Sequence, residues 1–378
     1  MRRFAAIMAL FCVVAVRAQE LSPEQLFREA QKAQQSGDNE LAVQKYQELL
    51  ASHPQVVAAR ANLGIALAAL GRYDEAVAQD TAALQLVPGN RDLRMNLALA
   101  YYKGQKIAEA AEQFASLLQE DPKNARVATL LGDCYVRLGK DTEAISLLTP
   151  FEQADPGNLT IEWTLGSALI RTGQTREGLL RVDKVAAQKP SPQVYTLAAE
   201  THLRLEEFEE ARRYADLAVK ADPDLPGVNT LSGLVREYSG DLEGAQEAFR
   251  RAIAQKPDDF EAHLRLGSVL YQLRKLDEAQ TQLELALQIE PTSSYARFEL
   301  AKVQNAQGQI QAALKNFEAV AQAIPEWLPP HVELAALYFK LKRPEDGARE
   351  KQIVDRITEE ERQKKMKSPV ISPQLPSR

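Results

Sequence analysis

The sequence predicts an all-α solenoid built from about ten helical hairpins, on three observations. Prolines recur at Pro54, Pro88, Pro122, Pro156, Pro190, Pro223, Pro257, Pro291 and Pro325, 34 residues apart with one step of 33. With proline as position 32 of each unit, units begin at Pro23, Val57, Arg91, Ala125, Leu159, Pro192, Pro226, Phe260, Ser294 and Leu328. Every unit then carries a small residue at position 8 (from Ala30, Gly64 and Ala98 to Ala335) and at position 20 (from Ala42, Ala76 and Ala110 to Gly347). Apolar residues between these marks fall at helical spacing, as in Leu63, Leu67 and Leu70 or Leu283, Ala286 and Leu287. Self-similarity at this period marks a stacked array in which each unit buries its apolar face only against its neighbours.

The first element reads as a leader, not as part of the array. Met1-Arg2-Arg3 is basic, Phe4 to Val16 is an uncharged apolar run, and Val16 and Ala18 place small residues before a cut preceding Gln19. The run of 13 residues is well short of the roughly 20 that a membrane-spanning helix needs. The expectation is an exported protein, periplasmic or extracellular, cleaved after Ala18; a retained anchor is the alternative. This divides the chain into a leader (1–18), a solenoid (19–357) and a C-terminal segment (358–378).

At the start of the array Ser22 and Gln25 flank Pro23 in a capping-box pattern, and Gln31, Gln34 and Gln35 give the outermost helix a polar side. Inside each unit, small residues at positions 8 and 20 let two antiparallel helices approach at their crossing. Position 15 is glycine in six units (Gly37, Gly71, Gly139, Gly173, Gly240, Gly308), where the first helix must stop and turn. Proline then ends the second helix because it cannot donate the next backbone hydrogen bond. The last helix runs on through Thr358 to Lys365, too polar to be buried, and solvates the final unit. Ser368 to Pro376 has three prolines and no periodicity, and reads as an extended tail, either a linker or a partner-binding strand.

Composition narrows the function classes. The net charge is −6, and removing the leader, which carries Arg2, Arg3 and Arg17 but no acid, makes the chain more acidic still. Such a chain is a poor electrostatic partner for nucleic acid or an anionic membrane. Cys134 is the one cysteine after the leader, so no internal disulfide is expected; its position 10 reads as core. No nucleophile elbow, zinc-protease motif or dinucleotide fingerprint is present, and Gly139-Lys140-Asp141 lacks the rest of a phosphate loop. His263 and His331 share position 4 but lie two repeats apart, too far to share a metal when helix layers are about 8–10 Å apart. No catalytic, cofactor or metal site is expected.

Asn62-Leu63-Gly64, Gly71-Arg72-Tyr73-Asp74-Glu75-Ala76 and Ala252-Ile253-Ala254-Gln255-Lys256-Pro257 give the chain its resemblance to tetratricopeptide repeat (TPR) proteins, extending over about residues 23 to 357. The resemblance implies a right-handed α-α superhelix whose first helices face a concave groove through positions 2, 5, 9, 12 and 13. It also implies a protein or peptide partner. Two departures stand out. The family's aromatic at position 4 is replaced by residues such as Arg60, Glu162 and Asn229, and the aromatic at position 24 by Asp80 and Lys351, so looser local packing is expected. The two-carboxylate clamp of some relatives is not assembled: Asn62 and Asn96 match, but position 5 is Phe27, Ala61 and Met95, and position 9 is Gln31, Ile65 and Leu99.

The implied groove positions give two stretches. Lys103, Arg137, Arg171 and Arg204 occupy position 13 of four successive units, with Arg126 nearby; toward the C-terminus stand Tyr238, Leu264, Tyr271, Tyr295, Phe298, Val332 and Phe339, with Trp163 earlier. Basic and aromatic stretches together suit a peptide that carries carboxylates beside apolar anchors. The competing reading of the basic stretch is electrostatic, since a cation in the last turn of a helix gains about 0.3–1 kcal/mol with no ligand present. Two functions remain: an interaction scaffold in a cell-envelope or secreted assembly, and a carrier for a glycan or small amphiphile on the aromatic stretch.

Overall fold

A computed structural model describes residues 21–367; the expected leader and the Pro-rich tail lie outside the described residues. Those residues form twenty α-helices and no strand, in two compact units whose boundary falls between Gly178 and Leu179. Unit 1 holds α1 (Pro23–Gln35), α2 (Asn39–Ser52), α3 (Val57–Ala69), α4 (Tyr73–Leu86), α5 (Arg91–Lys103), α6 (Ile107–Glu120), α7 (Ala125–Arg137), α8 (Asp141–Ala154), α9 (Leu159–Arg171) and the start of α10 (Thr175–Gln188). Unit 2 holds the rest of α10, then α11 (Pro192–Arg204), α12 (Phe208–Ala221), α13 (Val228–Tyr238), α14 (Leu242–Gln255), α15 (Phe260–Gln272), α16 (Leu276–Ile289), α17 (Ser294–Ala306), α18 (Ile310–Ala323), α19 (Leu328–Lys340) and α20 (Pro344–Lys367). Each unit is a solenoid of stacked hairpins, odd-numbered helices first and even-numbered second.

The first helices start where the 34-residue frame places them, with one exception. α13 begins two residues late, at Val228, because Gly227 sits in the left-handed region at φ 81° and ends a turn that begins at Asp222. The expected capping box at α1 is present, with Ser22 accepting from the Gln25 amide and Gln25 Oε1 accepting from the Ser22 amide at 2.8 Å.

The turn inside each hairpin explains position 15. The chain is left-handed there in all ten repeats, at the six glycines and also at Gln105, Glu206, Arg274 and Lys342, whose φ values run from 60° to 63°. The next amide then reaches back into the helix, as when the Arg72 N–H donates to the Leu67 carbonyl at 2.9 Å, so the helix-end carbonyls find partners. A side chain in this conformation costs roughly 1 kcal/mol, a cost four of the repeats carry.

Position 8 is small because the side chain at position 24 of the partner helix lies on it. A Cβ placed on Gly132 would meet Leu148 at 2.6 Å, one on Gly233 would meet Phe249 at 2.5 Å, and one on Gly267 would meet Leu283 at 2.5 Å. Position 20 marks the backbone crossing itself: a Cβ on Gly178 would lie 2.6 Å from the Gly166 carbonyl oxygen. Around these crossings Tyr46, Phe114, Phe249 and Phe317 are wholly buried.

Polar side chains take over position 4 with a role of their own. Six side chains there donate to the carbonyl of the proline that ends the preceding repeat: Arg60 to Pro54 (2.9 Å), Arg94 to Pro88 (3.3 Å), Asn229 to Pro223 (3.1 Å), His263 to Pro257 (3.0 Å), Arg297 to Pro291 (2.9 Å) and His331 to Pro325 (3.0 Å). A carbonyl just beyond a helix has no intrahelical donor. A polar side chain at position 4 supplies one and ties each repeat to the last. Position 24 is different at Asp80, which is 1% exposed where the other repeats, save the last with its exposed Lys351, place an aromatic or aliphatic group. Its Oδ1 has no hydrogen-bond partner and would stand 2.5 Å from a Cβ on Gly64, and burial pushes its carboxyl up to about 7.

Candidate functional site

First helices touch the first helices of the next repeat, α1 with α3, α3 with α5 and α7 with α9 in unit 1, and α11 with α13, α13 with α15 and α15 with α17 in unit 2. First helices therefore share one face of each stack, and pockets form on that face between neighbouring first helices.

Two of these pockets occupy the same place in the repeat frame. In unit 1 one of about 430 Å³ lies between α1 and α3, lined by Pro23, Glu24, Phe27, Arg28, Leu49, Val56 and Ala58. In unit 2 one of about 480 Å³ lies between α15 and α17, lined by Phe260, Glu261, Leu264, Arg265, Ser268, Glu290, Ser293, Tyr295 and Glu299. A third, of about 370 Å³, brings Arg204 and Tyr238 together with Glu200, Leu203, Glu206 and Phe208.

The basic stretch is distributed over different environments. Lys103, Arg126, Arg137 and Arg171 belong to unit 1 and Arg204 to unit 2. Arg137 is held in a local network: it bonds Gln105, lies 4.0 Å from Asp133, and covers the Tyr102 ring at 5.2 Å, while the Tyr102 hydroxyl donates to Asp133 at 2.6 Å. Arg171 pairs with Asp141 at 3.2 Å and donates to the Val136 carbonyl at 3.0 Å. Lys103 and Arg126 are exposed. Arg204 reaches a pocket, facing Glu200, whose carboxyl burial holds above the usual range.

The aromatic residues separate in the same way. Tyr238, Tyr295 and Phe339 are exposed, Tyr295 the most at 62%. Phe298, placed in the groove by the repeat frame, is buried between Phe317 (5.6 Å) and Trp327 (4.8 Å) and stiffens the wall from behind. Trp327 also backs Tyr295, ring centroids 4.8 Å apart. Tyr271 is half-buried beneath the Lys302 ammonium at 5.0 Å, Phe339 lies across Gly347, and Trp163 is half-buried in α9.

Charge collects around the pocket between α15 and α17. Arg265 pairs with Glu261 at 2.6 Å and stands 4.0 Å from Glu237, and Lys302 pairs with Glu299 at 2.9 Å. Glu237 Oε2 is buried without a hydrogen-bond partner, and its carboxyl is raised by burial first and then by Glu261 and Glu299, against the opposing pull of Arg265. Glu290, Arg265 and Glu299 were not among the groove residues read from the sequence. Positions 6 and 31 lie outside the groove positions implied by resemblance, and Glu290 comes from the end of a second helix.

Elsewhere titratable groups are structural. Cys134 is buried and burial pushes its thiol up to about 12. His202 stacks on Tyr214 between Asp183 and Glu207, while His263 and His331 hold proline carbonyls. Among the described residues no three histidine, cysteine, aspartate or glutamate side chains converge to hold a metal, and no helix is long and apolar enough to cross a membrane.

One tetratricopeptide repeat family model matches residues 27–91, 95–158 and 164–226, and a second matches 238–302. The human tetratricopeptide repeat protein 7B is 27% identical over 146 residues, 37% of this chain and 17% of that protein, so the chain spans less than a fifth of the curated relative's length. Among solved structures, YrrB, described as a TPR protein with an unusual peptide-binding site, is 18% identical with a TM-score of 0.46 over 49% of this chain and 96% of its own. A tetratricopeptide repeat protein from Parabacteroides merdae is 16% identical with a TM-score of 0.46 over 61% and 92%, and MamA 17% identical with a TM-score of 0.41 over 44% and 96%. With the repeat models matching more than half of its length and the hairpin geometry repeated through both units, the chain belongs to the tetratricopeptide repeat family.

Proposed function

We propose that the protein is a non-catalytic, exported interaction scaffold that holds a segment of a partner protein against its first-helix faces. The observation that carries this is the exposed Tyr295, backed by Trp327, lining a pocket of about 480 Å³ on the first-helix face. An exposed aromatic clamped by a tryptophan loses little entropy on binding, which is what an interface anchor requires. The repeated hairpins offer similar pockets at intervals along the chain, as an extended segment needs. Placement outside the cytoplasm, within a cell-envelope or secreted assembly, rests on the leader-like residues Met1 to Ala18.

The test is affinity capture from an envelope extract, with residues 19–378 as bait beside a Tyr238→Ala, Tyr295→Ala variant, and mass spectrometry of what is retained. Loss of a specific protein from the variant, with unchanged circular dichroism, supports the scaffold. Retention of no protein by either bait sinks it in favour of a glycan or amphiphile carried on Tyr295 and Trp327. Export has its own check: the intact mass of the protein from a producing host's envelope fraction should begin at Gln19.

A further inference from the structure

We propose that the pocket between α15 and α17 receives a lysine or arginine side chain of the bound segment. This rests on the scaffold reading and adds the chemistry of what is held. Three carboxylates, Glu261, Glu290 and Glu299, line the pocket beside one cation, Arg265, while Glu237 stands 4.0 Å from Arg265 and Lys302 2.9 Å from Glu299 outside the lining. Both cations are already engaged, Arg265 with Glu261 and Lys302 with Glu299 and the Tyr271 ring. Glu237 Oε2 is buried without a hydrogen bond and has only the Arg265 guanidinium, 4.0 Å away, as a counter-charge, and the exposed Glu290 carboxylate has no ion pair among the described residues. Carboxylates thus outnumber cations in the pocket lining, and they come from α15, the end of α16 and α17.

Carboxylates only accept hydrogen bonds, so an occupant that satisfies them must donate. Tyr295 adds the second requirement, because its ring presents a fixed, solvent-facing π surface that attracts a cation. An ammonium or guanidinium on an apolar stem meets both, with the stem against Leu264 and Phe260 and the head among the glutamates. A carboxylate would be repelled, and a neutral side chain would desolvate the glutamates without compensating them. The unit 1 pocket has no such excess, with Glu24 and Arg28 balanced over an apolar floor.

The experiment uses residues 19–378 and fluorescein-labelled decapeptides, Gly-Ser-Leu-X-Leu-Pro-Leu-X-Ser-Gly with X as arginine, lysine, citrulline or glutamate, read by fluorescence anisotropy at low salt. The arginine and lysine peptides should bind about tenfold or more tightly than the citrulline peptide, and weaken as salt rises. Glu261→Gln with Glu299→Gln should remove most of that difference, Tyr295→Ala should weaken the cationic peptides, and Tyr295→Phe should leave them unchanged. Glu290→Gln, an exposed change with no packing consequence, guards against misfolding and should weaken the arginine peptide by about two- to fivefold. Citrulline or glutamate peptides that bind as tightly as arginine overturn the proposal. So does the absence of peptide binding; if the capture experiment still retains a partner, the scaffold reading survives that failure, and if it retains none, both fall.

Discussion

The pockets at α1/α3 and α15/α17 stand at the same positions of the repeat and carry glutamate at position 2 and arginine at position 6, Glu24 and Arg28 in one and the ion-paired Glu261 and Arg265 in the other. Their chemistry diverges through the following repeat, where Val56 and Ala58 of one are matched by Ser293 and Tyr295 of the other, and Asn62 by Glu299. One pocket is apolar and nearly neutral, the other aromatic and acidic. The repeat backbone thus fixes where a pocket forms, and two or three side chains decide what it prefers, so a solenoid can vary its recognition along its length without altering its fold.

The cores of the two units differ too, and there the largest effect is expected. Unit 1 buries Asp80 where unit 2 places Phe249, Leu283 or Phe317. The folded state keeps Asp80 protonated up to about 7, whereas an unfolded aspartate ionises near 3.9. Between those values the folded state binds more protons, so this group's contribution to stability falls as pH rises and is lost above about 7. Asp80→Leu, which copies the Leu148-on-Gly132 arrangement, should raise the stability of unit 1 above pH 8 by about 3–4 kcal/mol and flatten its pH dependence. Urea titrations of wild type and variant at pH 5 and pH 8.5 check this; equal stabilisation at both values would show that Asp80 is ionised or otherwise satisfied throughout.

A smaller loss comes from filling the crossings. Gly132→Leu in unit 1 and Gly233→Leu in unit 2 drive a side chain into Leu148 and Phe249 respectively, and each should cost about 2–3 kcal/mol, seen as a lowered denaturation midpoint. The pocket comparison can be broken directly by grafting: Val56→Ser, Ala58→Tyr and Asn62→Glu should give unit 1 a preference for the arginine over the citrulline peptide of about tenfold, or ~1.4 kcal/mol. This is read in a Tyr295→Ala background so that only the grafted pocket responds. The smallest effect is at the left-handed turns. Gln105→Gly and Arg274→Gly should each stabilise by about 0.5–1 kcal/mol by relieving the φ near 60°, and thermal melts that fall instead would mean that contacts of those side chains outweigh the backbone strain.

The hairpin boundaries were legible because each is written in adjacent residues. Glycine at position 15 takes the left-handed turn, proline at position 32 lacks the donor a longer helix needs, and Ser22 with Gln25 caps the first helix. What position 4 does was illegible for the opposite reason. Arg60, Asn229 and His331 look like losses of an aromatic until the proline carbonyl of the preceding repeat is seen beside each. The groove positions located Tyr295 and Arg204 but not what surrounds them, and gave Phe298 the same standing as Tyr295 although Trp327 and Phe317 bury it.

By itself the sequence determined the period, the hairpins and the face on which side chains meet, since helix start, stop and phase depend on residues within about one turn of each other. Tertiary structure alone decided the pocket chemistry. Glu261, Glu290 and Tyr295 come from three different helices or helix ends, and whether a carboxylate is neutralised, as Glu261 is by Arg265, or left without an ion pair, as Glu290 is among the described residues, depends on distances of a few ångströms across the stack.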